Sequence, residues 1–165
     1  VTVNIPARVG IVVTPATLTI DPTNQPGGEP TYPPPDDESY PFYYGPATAS
    51  SITIKVFANK SSGFTVTVAM DSTDQSSLPT WLPASDWYIA AGANKGEAAP
   101  SRPGNGSAPP GVWKPLNSIQ TIIDKNSKTS GWDTYQADLV VKFTGDEENG
   151  TIPDVTLTYT IAPKS

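Results

Sequence analysis

The chain has no cysteine and no histidine among its 165 residues. Without cysteine, disulfides contribute nothing and the sequence carries no redox clue to its compartment. Without histidine, the commonest general base and the commonest metal ligand are both missing. A nucleophilic triad of the usual kind therefore cannot be assembled, and no Ser stands in a Gly-x-Ser-x-Gly elbow. Charge is also sparse, at 16% of residues with a net charge of −6. Lys and Arg are scattered singly, which argues against nucleic acid as a partner. No apolar run approaches the length of a membrane span. Helical periodicity is nearly absent, and many of the 19 prolines interrupt the segments where it might arise.

What is present is alternation. Val1, Val3, Ile5, Ala7, Val9, Ile11 and Val13 are apolar, and the residues between them are mostly polar. This period of two, with a lapse at Val12, gives an extended ribbon with one apolar face. Fourteen residues reach about 45 Å, whereas an ordinary strand has about five or six residues. Two arrangements fit. The ribbon is a long first strand of its own sandwich, bent at Gly10, or it is a donor strand that completes a neighbouring copy.

Further alternating runs follow. Thr17 to Ile20 reads as a short strand. Ile52 to Ala58 and Phe64 to Met70 read as an antiparallel hairpin joined through Asn59 to Gly63. Weaker strands are expected at Asp86 to Ala91 and Ile119 to Asp124, and stronger ones at Tyr135 to Phe143 and Val155 to Ile161. Two long loops, 21–50 and 92–118, are rich in Pro and Gly. The aromatics of Tyr40 to Tyr44 in the first are expected to pack on a surface. Together these features predict an all-β protein, an immunoglobulin-like antiparallel β-sandwich with a projecting N-terminal donor strand. The division is 1–14 donor strand and 15–165 sandwich. Asp133 and Tyr135, at the start of a late strand, fit a tyrosine corner, with Ala137 where antibody domains hold a cysteine.

Candidate sites are few. Asp36-Asp37-Glu38 and Asp146-Glu147-Glu148 read as solvated acidic turns. Neither Asp71-Ser72-Thr73-Asp74 nor the second turn matches a calcium-loop spacing. No cofactor or metal ligand set is expected, and the protein is not expected to be an enzyme. Asn59, Asn105 and Asn149 stand in glycosylation acceptor triplets, all in predicted turns or loops. Lys55 faces away from Ile54 and Val56 and is expected in solvent. Trp81, Trp87, Trp113 and Trp132 are candidates for core anchors or for a carbohydrate platform.

On the alternation of Val1 to Thr14 and the late strand from Gly131 to Phe143, the chain resembles the donor-strand pilins and matrix-fibre proteins of bacteria and archaea. These include chaperone–usher pilins, bundling-pilus subunits and TasA-like biofilm fibres. The resemblance implies a secreted, extracellular subunit that polymerises with itself head to tail, in filaments of the kind used in cell adhesion and biofilms. The N-terminal strand would carry the inserted face from Val1 to Val13. The acceptor groove would be lined by Leu139, Val141, Leu157 and Tyr159. The start at Val1 without methionine is expected to reflect removal of a secretion signal. Departures are visible. Chaperone–usher pilins often carry glycine on the inserted face, whereas here Ala7 is the small residue and Gly10 lies opposite. Pro6 also forfeits a ladder hydrogen bond. Those departures favour a matrix-fibre or archaeal-type relative. The competing expectation is a secreted immunoglobulin-like adhesion or carbohydrate-binding module.

Overall fold

A computed structural model describes residues 2–35 and 39–165. Strand outweighs helix, 35% to 6%, and the sheets are antiparallel, so the protein is mostly β. The strands in chain order are β1 Val9–Thr14, β2 Phe42–Tyr44, β3 Ile52–Ala58, β4 Phe64–Met70 and β5 Trp87–Ala91. They continue with β6 Lys114–Pro115, β7 Gln120–Lys125, β8 Asp133–Phe143 and β9 Leu157–Pro163. The larger sheet runs β1-β3-β8-β5-β6, and the smaller runs β7-β4-β9. β8 organises the larger sheet: β3 pairs with its first half and β2 with its last residues.

The expected hairpin of β3 and β4 does not form, because the two strands lie in different sheets. Each has a strictly alternating apolar face, and the two faces meet across one core through Ile52, Ile54, Val56, Phe64, Val66 and Val68. Pairing them edge to edge would leave both faces without a cover. The connection therefore crosses between the sheets. Gly63 makes the corner at φ +99, where an added Cβ would stand 1.9 Å from the Lys125 carbonyl oxygen.

Other expectations are adjusted. Thr17 to Ile20 forms no strand beyond a single bridge from Ile20 to Pro46. A six-residue helix, α1 Ser72–Ser77, was not anticipated. The Asp71 carboxylate starts it by accepting from the Thr73 and Asp74 amides at 2.8 and 3.2 Å. Tyr135 is buried near the start of β8, but among the described residues no hydrogen bond ties its hydroxyl back to backbone, so the tyrosine corner is not made. Lys55 is exposed.

The long loops are not spectators. β8 is buried on both faces, and its outward residues need a cover. Tyr43, Tyr88, Ala90, Trp113 and Val140 form a second apolar cluster there. The Tyr43 hydroxyl donates to the Ser107 carbonyl at 2.6 Å, and Trp113 Nε1 to that of Ser101 at 3.1 Å. At the centre of the cover, Arg102 Nε donates to Asp138 at 2.8 Å, with the two side chains 4% and 1% exposed. Arg102 Nη2 also donates to the Pro46 carbonyl, and Gln25 bonds Gly45 in both directions. Thus one guanidinium ties both loops to β8, and the buried carboxylate has its charge partner.

Candidate functional site

The ribbon at the N-terminus has two fates. Val9 to Thr14 pair with β3 from Ala58 back to Thr53. Ile11 and Val13 pack against the protein's own core, and Val9 lies in the same strand. This corrects the expected donor face, because Val9, Ile11 and Val13 are spent within the chain. The free edge of β3 is already at hand, so pairing there carries no association cost. The division at residue 14 shifts accordingly toward residue 8.

Before Val9 the chain runs past the end of β3. Residues 2–8 form no strand and are all exposed, Val3 at 78% and Ile5 at 77%. Fully extended, these seven residues reach about 23 Å. Asn59 fixes the root of this arm. Its Oδ1 accepts from the Arg8 amide at 2.7 Å, and its Nδ2 donates to the Pro6 carbonyl at 2.9 Å. Ala7 sits in that root, Val3 and Ile5 lie beyond it, and Val1 falls outside the described residues.

The opposite end of the molecule holds an apolar groove of about 660 Å³. Leu139, Val141, Leu157 and Tyr159, the four residues expected to line an acceptor, all line it. Val13, Ile52, Leu82, Trp87 and Phe143 complete its walls. Sequence reasoning missed the lips: Leu18, Ile20, Ile152 and Val155, from two segments outside the strands. Their alternation was the available signal. Two features of the groove are unsatisfied. Among the described residues, no strand is hydrogen-bonded to β9 on the side away from β4, although β1 of the other sheet packs near it. Trp87 is buried in the groove wall, and its Nε1 has no hydrogen-bond partner among the described residues. Burial pushes the Tyr159 hydroxyl up to about 12.

The remaining candidates disperse. Asn105 and Asn149 are exposed, whereas Asn59 is half-buried and engaged with the arm. Trp87 and Trp113 are buried in separate clusters, and Trp132, 54% exposed, rests on Phe57, so the tryptophans form no common platform. Asp36, Asp37 and Glu38 lie outside the described residues. Glu147 accepts from the Thr144 and Gly145 amides, closing the turn after β8. Among the described residues no three acids gather as a metal site, and no helix is long and apolar enough to cross a membrane. Comparison of the chain with protein-family models, with curated proteins and with solved structures finds no match.

Proposed function

We propose that the protein is the structural subunit of an extracellular filament, joined head to tail when the arm ahead of its Asn59-held root, residues 2–5, of one copy enters the groove of the next. In this reading the fold is an immunoglobulin-like sandwich short of one edge strand. Such a sandwich pairs strands A, B, E and D in one sheet and C, F and G in the other. β1, β3, β8 and β5 take the order A, B, E, D, and β4 and β9 stand as C and F. Among the described residues no strand is hydrogen-bonded to β9 in the place of G, where β1 packs near it from the other sheet. An arm added there would gain ladder hydrogen bonds from β9 and would set Val3 and Ile5 over the apolar walls.

The observation that carries the reading is the pairing of an open apolar groove at one end with an exposed apolar arm at the other. A contact between different surfaces of identical copies does not close on itself, and it propagates into a filament. A groove left empty would be an aggregation hazard, which favours a dedicated occupant. Filaments of this kind act outside the cell, consistent with the expectation of a secreted chain.

Electron microscopy of the purified protein and of Ile5→Asp tests the proposal. The variant should stay folded and form no fibres, because a carboxylate carried into the groove finds no partner there. Normal fibres from Ile5→Asp would refute it.

A further inference from the structure

The two ends of the molecule carry opposite charge. Phe64 pairs with both Lys125 and Pro163, and Val9 with Ala58, so these residues share the end from which the arm leaves. Arg8, Lys60, Lys95, Lys125, Lys128 and Lys164 gather there. Lys95 faces Asp133 at 3.5 Å, and Lys164 is paired with Asp124. Glu97 is taken up by hydrogen bonds from Asn94. Among the described residues, Arg8, Lys60, Lys125 and Lys128 have no carboxylate within ion-pair distance. Lys95, Lys125 and Lys128 border a polar depression of about 600 Å³.

The other end is acidic. Met70 pairs with Leu157 there, and β8 finishes at Phe143. Asp71 and Asp74 belong to the start of α1, and Asp146, Glu147 and Glu148 to the turn after β8. Asp154 lines the groove itself. Lys142 is occupied by Asp86 at 3.3 Å. The 11 residues of β8 separate the two ends by about 35 Å. That is about four Debye lengths at physiological salt, so each end presents its own field.

We infer that the basic end of one copy docks on the acidic end of a second copy, steering the arm into the groove. The inference rests on the arm-to-groove reading and names what aligns the partners. The occupant is a second copy because both complementary surfaces lie on one chain, with the arm on the basic one and the groove on the acidic one. Complementary charge of this kind chiefly raises the encounter rate and fixes orientation.

The experiment follows association of the full chain by light scattering across a salt series. Two charge-reversed variants are compared: Lys60→Glu with Lys128→Glu, and Asp146→Lys with Glu148→Lys. Each should associate about tenfold more slowly at low salt and lose most of its salt dependence. The acidic-end variant is decisive, because it brings the net charge of −6 toward zero. Simple repulsion between copies predicts faster association for it, whereas end-to-end docking predicts slower. Faster or unchanged association of the acidic-end variant overturns the inference. Ile5→Asp separates the two claims. It should make no fibres yet keep a salt-sensitive attraction between copies in sedimentation. Fibres from Ile5→Asp would sink the arm reading alone, and loss of that attraction would sink the docking alone.

Discussion

On the outward side of β8, Val140 and its neighbours are covered by Trp113 and by two long loops that Arg102 pins to Asp138. On the inward side, Leu139 and Val141 end at an open groove whose flanking strand has a free edge. Both sides begin with apolar surface on the same strand. The outward side is completed by the chain's own loops, with Arg102 and Asp138 paired at its centre. The inward side retains an unpartnered indole donor and an edge strand, β9, with no strand hydrogen-bonded to it on the side away from β4. The contrast distinguishes a surface that folding finishes from one that waits for another segment. It also explains why 19 prolines sit so heavily in loops. A covering loop needs a fixed path over a sheet, and proline restricts that path before folding.

Breaking the finished side should give the largest effect. Arg102→Ala leaves the Asp138 carboxylate buried without its partner and should cost about 3–5 kcal/mol in urea unfolding. An unchanged midpoint would mean that the loop cover is not fixed by this pair. The next effect separates the two halves of the N-terminal ribbon. Val13→Asp places a charge against the core and should cost about 1–3 kcal/mol. Ile5→Asp, in the exposed arm, should change monomer stability by less than about 0.5 kcal/mol. Equal losses would show that the arm is packed on its own chain. The smallest effect is confined to alkali. Tyr159, Tyr43 and Tyr44 are each pushed up to about 12, by burial first of all. Their unfolded value lies near 10, so the folded state holds these protons more tightly. Their contribution is complete below pH about 10 and is lost as pH rises from there through about 12. Spectroscopic titration of tyrosinate should register ionisation and unfolding together above pH about 10. Ionisation of all tyrosines near their free value, with the fold intact, would contradict the burial.

Much of the strand content was legible. β3 and β4 were read at their observed ends because Ile52 to Ala58 and Phe64 to Met70 alternate without a lapse. Leu139, Val141, Leu157 and Tyr159 came to one groove because parity in β8 and β9 assigns them to inward faces. Alternation specifies a face and leaves the partner open. That is why alternation alone predicts a β3–β4 hairpin and a donor face through Val13, whereas β3 and β4 lie in different sheets and Val9 to Val13 pair with β3. β2 was hidden for a different reason: Phe42, Tyr43 and Tyr44 are all buried, so no alternation marks them. The Arg102–Asp138 pair spans 36 positions of sequence, and nothing local in either residue announces it. The signal for α1 was present in Asp71 followed by Ser72 and Thr73, a capping pattern too short to stand out.

The absence of cysteine makes the central claim directly measurable. Ile5→Cys is placed on one copy and Val155→Cys on another, and the mixed proteins are assembled and oxidised. Arm insertion predicts disulfide-linked dimers that join one of each variant, identified by mass spectrometry of the linked peptides. Mixed assemblies in which Ile5→Cys never links to Val155→Cys, while remaining freely reactive to a thiol reagent, would contradict it.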